Sequence, residues 1–362
     1  MKILIFHQGS LGDTVISIPA IRAIRRHYGK DAYIVLLHEK RNLLRVRPDE
    51  ILQANVLINE FIGYDVLSSC FLKRWLGYAF LGLKLFQRKF DAVHYLLSSS
   101  REYHRVRRDQ LFFTLCGIAK KFGFNREHDS FVLEKDSFRI FHHTHEAAIH
   151  LQRLKAEGID ISLEENLNEP FLQLSSSVSE KALRWLQNEG LLRQYPLVAV
   201  GALSNMPSKQ WPLERFEHIC QRLIQQYNAH IIFLGSSADR DAIQKIVDRY
   251  PQSRNAAGMF SPLESAAIIK HCHFTLGLDS GPIHLAGALG VPCVAIYSER
   301  NYPGQWDPLG EKHLILRHPV MCQGCQREHC HLPDHPCIRQ ISTEEVWSKI
   351  QQIMLRHARE KT

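Results

Sequence analysis

Several groups of side chains in this sequence have the types and spacing to do chemistry, and the first is Asp279, Ser280, Gly281 and His284. They follow an apolar run and open a helical pattern that continues with Pro282. Proline is tolerated at a first helical position because its missing N–H would be unpaired there. The free N–H groups at a helix start bind anions, and a diphosphate is a natural ligand. Two structural roles compete: Ser280 could only cap the helix, and His284 could be a histidine of the core.

A second candidate, Asp13, closes the motif Gly9–Asp13 (GSLGD) after the first apolar run. The two glycines of the motif let the backbone approach a ligand closely. Asp13 could accept a proton in a cleft, or it could cap the following helix, which is the commoner role at such a turn. The motif is neither the G-x-G-x-x-G fingerprint of dinucleotide-binding folds nor a P-loop. The residues alone leave both roles of Asp13 open.

Two sets of basic residues could bind phosphate or carboxylate groups. Lys209 lies in a loop directly after an apolar strand pattern, at the edge where parallel sheets bind ligands, and its flexible ammonium suits phosphate. Arg101, Arg105 and Arg108 lie in a basic stretch of the first half and could hold an acidic acceptor through paired contacts. Solvent-exposed roles, a loop lysine and a solvated helix face, compete with both assignments.

Four cysteines, Cys322, Cys325, Cys330 and Cys337, lie within sixteen residues, with histidines among them. This spacing permits a tetrahedral zinc or iron site that pins a loop, although the second pair is spaced differently from a zinc ribbon. A structural metal is therefore a possibility that the sequence leaves open. The chain has no H-E-x-x-H helix and no G-x-S-x-G turn, so neither a zinc-dependent nor a serine hydrolase is indicated.

These residues are positioned by alternating strand and helix patterns, which favour a doubly wound α/β fold. Residues 166–179 lose this periodicity and are rich in Ser, Asn and Pro, which indicates a domain junction. Pro19 lies inside the first helical pattern and predicts a kink or a fresh turn. Strands are predicted at 2–7, 32–37, 90–96, 120–124, 197–201, 230–235, 274–278 and 291–297, and helices at 14–28, 71–89, 212–227, 239–249, 261–270, 283–289 and 343–359.

Composition limits the function classes further. The 362 residues carry a net charge of +8, which favours anionic partners: nucleic acid, phosphorylated sugars or an acidic membrane face. No nucleic-acid-binding module accompanies the charge, so nucleic acid is the least favoured partner. The nearest approach to a membrane span, the run Trp75–Phe86, is too short for one and is interrupted by Lys84. The aromatic and basic stretch 70–89 that contains it could lie on an anionic membrane surface or pack on the sheet. The N-terminal apolar run is too short for a signal peptide, so we expect a cytoplasmic protein with cysteines as thiols or metal ligands.

Taken in order, four blocks of the chain resemble the ADP-heptose:lipopolysaccharide heptosyltransferases, glycosyltransferase family 9. The blocks are Gly9–Asp13, Lys209–Pro212, Asp279–Ala286 with the Ala-Leu-Gly that follows, and the cysteine-rich stretch ending in Pro336–Ile341. The resemblance implies two facing Rossmann-like domains, the GT-B architecture, with a cleft between them and a C-terminal helix that returns toward the first domain. Residues 1–172, with the terminal helix 343–362, would bind the acceptor, and residues 173–342 would bind the nucleotide sugar.

The resemblance also implies roles for individual residues. Asp13 matches the proposed general base of an inverting transfer, and Lys209 matches a lysine that contacts the donor diphosphate. Arg101, Arg105 and Arg108 would meet the phosphates and carboxylates of the acceptor. No cofactor would be required beyond the possible structural metal. The donor-binding residues implied are Gly12, Lys209, Asp279, Ser280, Gly281 and His284.

The activity implied is transfer of a heptose from ADP-heptose to the inner core of lipopolysaccharide. The enzyme would be cytoplasmic and peripheral on the inner membrane, with no nucleic-acid partner. Two alternatives stay open. The first is a relative that uses another nucleotide sugar, or a protein or other glycan as acceptor. The second is a non-catalytic module that only binds a nucleotide sugar.

Overall fold

A computed structural model describes residues 1–40, 46–52, 57–65, 71–125, 144–162, 167, 170–192 and 196–359. Contacts divide the described chain into two compact units. One contains the residues up to 125 and those from 144 to 167, and the other contains the residues from 170 onward. Each unit is built on a sheet of parallel strands, which confirms the predicted α/β fold class. None of the described helices is both long enough and apolar enough to cross a membrane.

The first unit has a five-stranded sheet in the order β3-β2-β1-β4-β5. The order of the strands reverses between β1 and β4, and ligands of such sheets bind at the carboxyl ends of the strands at this switch point. The strands are β1 (Lys2–His7), β2 (Tyr33–Glu39), β3 (Glu60–Tyr64), β4 (Ala92–Leu96) and β5 (Lys120–Phe122), and the helices are α1 (Leu11–Tyr28), α2 (Phe71–Arg88), α3 (Tyr103–Leu115) and α4 (Glu146–Ala156).

The second unit has a six-stranded sheet in the order β11-β10-β9-β6-β7-β8. Counted within the unit, this is the 3-2-1-4-5-6 order of dinucleotide-binding folds, with the switch point between β6 and β9. The strands are β6 (Leu197–Gly201), β7 (His230–Phe233), β8 (Ser253–Asn255), β9 (Phe274–Leu278), β10 (Cys293–Ile296) and β11 (Leu314–Leu316), and the helices are α5 (Ser176–Asn188), α6 (Leu213–Tyr227), α7 (Arg240–Val247), α8 (Pro262–Ile269), α9 (Gly281–Ala288), α10 (Pro336–Arg339) and α11 (Thr343–Arg359).

Helix α1 differs from its prediction in two ways. It begins at Leu11, three residues earlier than predicted, because Ser10 caps it and Asp13 closes the cap from within the first turn. Pro19 does not end the helix, which runs unbroken to Tyr28. Proline inside a helix costs about 3 kcal/mol. Here the residues around Pro19 are buried on several sides of the helix, and this packing offsets the cost.

The terminal helix α11 packs against α6, against the edge strand β11 and against its neighbour β10. Val346, Trp347 and Ile350 belong to the hydrophobic core of the second unit. Arg222 of α6 stacks its guanidinium on the Trp347 ring, 4.4 Å from the centroid, and pairs with Glu344 at 2.5 Å. The sequence prediction groups this helix with the first domain, but all of these contacts lie within the second unit.

His94 gives the first unit a pH-dependent stability. Its ring stacks on Phe122 with centroids 4.8 Å apart, and its Nε2 lies 3.1 Å from the hydroxyl of Tyr28. Burial, with a smaller contribution from the charge of His27, lowers the pKa of His94 to about 3. An unfolded histidine has a pKa near 6.5, so between about pH 6.5 and 3 the unfolded chain binds a proton at His94 and the folded chain does not. The stability that His94 contributes is therefore complete above about pH 6.5 and is lost as the pH falls toward 3.

We expect His94→Phe to remove part of this acid sensitivity while keeping the ring stack. Between pH 7 and 5 the wild type should lose about 2 kcal/mol more unfolding free energy than the variant, because one proton is taken up below 6.5. Urea unfolding of both proteins at the two pH values measures the difference. Equal losses in the two proteins would contradict the role given to His94.

Candidate functional site

The helix start after β9 is built against the end of β6. Ser280 is the N-cap residue of α9, and Pro282 occupies its first turn. A Cβ atom on Gly201, at the end of β6, would lie 3.1 Å from the ring of Pro282. A Cβ atom on the paired Gly277 would lie 3.0 Å from the carbonyl oxygen of Gly201. The two glycines therefore let the start of α9 sit close to the strand ends at the switch point of the second sheet.

Asp279 is the charged centre of this site. Its side chain is only 4% exposed, and Oδ2 lies 2.6 Å from Nζ of Lys209, whose side chain is 16% exposed. Nζ of Lys209 also donates to the backbone oxygen of Asp279 at 3.2 Å. Nε2 of His284 lies 3.4 Å from Oδ1, and Nδ2 of Asn301 donates to Oδ2 at 3.5 Å. Burial alone would raise the pKa of Asp279, but the charge of Lys209 and the hydrogen bond from His284 lower it well below the usual range.

Two polar atoms beside Asp279 are buried and unsatisfied. Within the described ranges, neither Oγ of Ser280 nor Nδ1 of His284 has a hydrogen-bond partner. Both atoms lie at the helix start, where a bound polar group could pair with them. Lysine has three N–H donors, and two of those of Lys209 are accounted for by Asp279. The remaining donor, the helix start and the hydroxyl of Ser280 together suit an anion.

The structure thus brings Lys209, Asp279, Ser280, Gly281 and His284 together. Asn301, which also contacts the carboxylate of Asp279, was not among the predicted residues. It comes from the loop after β10, where no local motif marks it. Its place in the loop after a predicted parallel strand was the one signal that could have found it.

Asp13 closes a helix cap in the first unit. Its Oδ2 accepts hydrogen bonds from the backbone N–H of Ser10 at 2.6 Å and from the Ser10 hydroxyl at 2.7 Å. Gly9 is required here, because a Cβ atom on it would lie 2.3 Å from that of Asp13. Gly12 lies beside Asp13 in the first turn of α1. The capping role is confirmed, and both of these contacts use one carboxylate oxygen; the role of Asp13 as a base, like the donor contact of Gly12, stays a prediction.

The three arginines predicted for the acceptor have partners within the protein. Arg101 donates to Oε1 of Gln8 at 3.0 Å and to Oδ2 of Asp109 at 2.9 Å. Arg108 binds the other oxygen of Asp109 at 2.6 Å, and Arg105 pairs with Glu102 at 2.7 Å. Gln8 follows β1 and Arg101 follows β4, so this contact spans the switch point of the first sheet. The role of the three arginines in acceptor binding stays a prediction.

The cysteine-rich loop contacts the turn that carries Lys209. Cys322, Cys325, Cys330 and Cys337 line one small cavity together with Ser208. The loop also holds the turn that carries Lys209, since the backbone N–H of Ser208 donates to the Glu328 carbonyl at 2.9 Å and its hydroxyl to that of Arg327 at 2.8 Å.

The thiols of this cavity influence one another. Burial and the neighbouring Cys325 raise the pKa of Cys322, and burial raises that of Cys337 to about 11. In the part of the chain that the structure describes, no group of three or more His, Cys, Asp or Glu side chains is arranged to hold a metal ion. A metal at these cysteines stays a prediction from the sequence.

The family model and the curated relatives agree on one family. The family model described as glycosyltransferase family 9 (heptosyltransferase) matches residues 110–335. The chain is 24% identical to lipopolysaccharide heptosyltransferase 2 of Salmonella typhimurium over 88% of each chain. It superposes on the family 9 glycosyl transferase of Veillonella parvula with a TM-score of 0.72 and 19% identity, covering 98% and 97% of the two chains. It superposes on the E. coli heptosyltransferase WaaC, solved with ADP, with a TM-score of 0.63 and 14% identity, covering 98% and 100%. These structural likenesses show the fold.

Proposed function

The chain belongs to glycosyltransferase family 9, and we propose that it transfers a heptose from ADP-heptose to the inner core of lipopolysaccharide with inversion at the anomeric carbon. The observation that carries this proposal is the cluster of Lys209, Asp279 and His284 at the start of α9, with its two orphaned buried polar atoms. The names of the relatives support the choice of substrates: one is a lipopolysaccharide heptosyltransferase, and another heptosyltransferase was solved with ADP.

The cluster in the second unit would hold the donor by its diphosphate. As the bond from the anomeric carbon to the diphosphate breaks, negative charge grows on the departing oxygen. The free N–H donor of Lys209 and the helix start at Gly281 stabilise that charge, because they are fixed in place before the reaction. Asp279 orients the ammonium of Lys209, and the hydroxyl of Ser280 supplies a further donor to the phosphate oxygens. Nε2 of His284 donates to Asp279, so Nδ1 can accept a hydrogen bond from a hydroxyl of the donor.

Asp13 would act on the acceptor. An inverting transfer needs one base, which removes the proton from the acceptor hydroxyl as its oxygen attacks the anomeric carbon. The Ser10 cap fixes the carboxylate of Asp13 through Oδ2, so Oδ1 can accept that proton. Arg101, Arg105 and Arg108 would bind acidic groups of the lipopolysaccharide core, exchanging some of their internal contacts for phosphate. The reaction requires no metal in this scheme.

The site of action would be the cytoplasmic face of the inner membrane, where a lipid-linked acceptor lies. We propose no nucleic-acid partner, because phosphorylated substrates and the membrane surface account for the net positive charge. A relative with another nucleotide sugar or acceptor would share the same fold and the same diphosphate site. A non-catalytic binding module would share the donor site but would not need a base.

Calorimetry with ADP, UDP and GDP tests the donor first. We expect ADP to bind at least about tenfold more tightly than either of the others, which corresponds to about 1.4 kcal/mol. Incubation with ADP-heptose and delipidated core oligosaccharide, followed by mass spectrometry, should then show one added heptose. Preference for UDP or GDP would contradict the proposal that the donor is ADP-heptose, but it would remain compatible with glycosyl transfer from another nucleotide sugar. Tight ADP binding without transfer to any core acceptor would favour the binding module.

A further inference from the structure

Helix α2 of the first unit presents an apolar face to solvent. Leu81 and Leu85 are buried in the core of the unit. Leu76, Phe80 and Leu83 lie on the opposite face of the helix, because residues three and four positions apart share a side. All three are exposed, Phe80 by 77%. A helix that packs on a sheet normally turns polar side chains outward, so this second apolar face requires an explanation.

Helix α3 packs beside α2 and also carries exposed apolar side chains. The rings of Tyr78 and Phe112 meet edge to face at 6.1 Å and join the two helices. Leu111 and Leu115 of α3 are exposed, Leu115 by 74%. We call this region the α2–α3 surface; its exposed apolar members are Trp75, Leu76, Phe80, Leu83, Phe86, Leu111 and Leu115.

The exposed charged side chains within the two helices are basic. Helix α2 contains no Asp or Glu, and its Lys73 and Lys84 are exposed beside the apolar residues. Exposed Lys89 follows the helix, and exposed Arg107 lies on α3. Asp109, the one acidic residue of α3, is buried and bound by arginines. Exposed apolar side chains with basic flanks match a bilayer of anionic lipids, in which acyl chains lie beneath negative headgroups.

We propose that the α2–α3 surface binds an anionic phospholipid bilayer, with α2 lying in the interfacial plane. Leu76, Phe80 and Leu83 enter the boundary between headgroups and acyl chains, and Lys73 and Lys84 contact the lipid phosphates. Exposed apolar side chains flanked by basic ones along one helix favour a bilayer, because a protein partner would have to match both the apolar area and the charge. This inference deepens the proposed function and rests on it in one respect: a lipid-linked acceptor gives the enzyme a reason to be at the membrane.

Vesicle sedimentation tests the surface without any turnover. The wild type should bind vesicles of phosphatidylcholine mixed with phosphatidylglycerol, bind pure phosphatidylcholine weakly, and lose affinity as salt is added. The triple variant Leu76→Ser/Phe80→Ser/Leu83→Ser should bind the anionic vesicles at least tenfold more weakly. Lys73→Gln/Lys84→Gln should bind them about tenfold more weakly and show less dependence on salt. Leu355→Ser, an exposed leucine on α11 of the second unit, is the matched control and should bind like the wild type.

Two readouts separate this inference from its rivals. The replaced leucines and phenylalanine are exposed, so the urea midpoint of the triple variant should match that of the wild type. Absence of wild-type binding to anionic vesicles, or unchanged binding by the triple variant, would overturn the inference. So would a wild-type dimer that the triple variant dissociates while vesicle binding stays the same. Heptose transfer to the water-soluble core oligosaccharide should survive in the triple variant; failure of transfer in the wild type would remove the proposed function and leave the lipid surface standing.

Discussion

Asp13→Asn should lower kcat by a factor of about 10²–10⁴ and leave the fold intact, because a general base contributes about that much. The amide oxygen of asparagine can still accept the two hydrogen bonds from Ser10 that the carboxylate accepts now. The cap of α1 therefore survives, while the proton acceptor is lost. Transfer kinetics with saturating donor and acceptor measure the effect, and thermal unfolding confirms that the variant is folded.

Glu345→Gln provides the matched control for this substitution. Glu345 caps α11 in the same way, with Oε2 accepting from the backbone N–H and the hydroxyl of Ser342, both at 2.7 Å. The two variants should lose a similar, small amount of stability, and only Asp13→Asn should lose turnover. Unchanged turnover in Asp13→Asn would reduce Asp13 to a helix cap. An equal loss of turnover in both variants would show that the loss follows from the weakened helix caps and not from the missing proton acceptor.

Asp13 and Glu345 carry the same local capping signal, but only Asp13 is proposed to act as a base. A cap follows from local signals, since an acidic residue three positions after a serine closes the same turn wherever it occurs. The role of Asp13 as a base depends on which substrate binds nearby, and the residues next to it in the sequence do not determine that. The turn at Asp279 was more predictable, because a buried strand and a Gly-Pro helix start both mark it.

Contacts between distant segments were the least predictable part of the site. Lys209 and Asp279 are 70 residues apart, and they meet because the strand order places β6 next to β9. The strands β3, β8 and β11 escaped prediction for a related reason. All three lie at the edges of their sheets, and two of them have only three residues. Short edge strands do not produce the long apolar runs by which the central strands were recognised.

Lys209→Ala should destabilise the second unit and also abolish tight donor binding. The substitution leaves the carboxylate of Asp279 buried without its ammonium partner, and breaking a buried ion pair in this way costs about 3–5 kcal/mol of unfolding free energy. The double variant Lys209→Ala/Asp279→Asn removes the charge that has lost its partner, so most of that stability should return. Donor affinity and turnover should not return, because the N–H donor to the diphosphate is still missing. The cycle of the two single variants and the double variant measures the coupling.

The pH dependence of stability provides a second, independent test of the pair Lys209 and Asp279. In the wild type the pKa of Asp279 is lowered, so the stability of the pair is present above the unfolded value near 4 and is lost as the pH falls below it. In Lys209→Ala, burial acts on Asp279 without the lysine and should raise its pKa above the unfolded value. Relative to the wild type, Lys209→Ala should therefore gain stability on acidification, since its folded state now takes up the proton more readily. A variant as stable as the wild type at pH 7, with the same acid response, would show that the ion pair does not hold the site together. Recovery of turnover in the double variant would remove Lys209 from the diphosphate site.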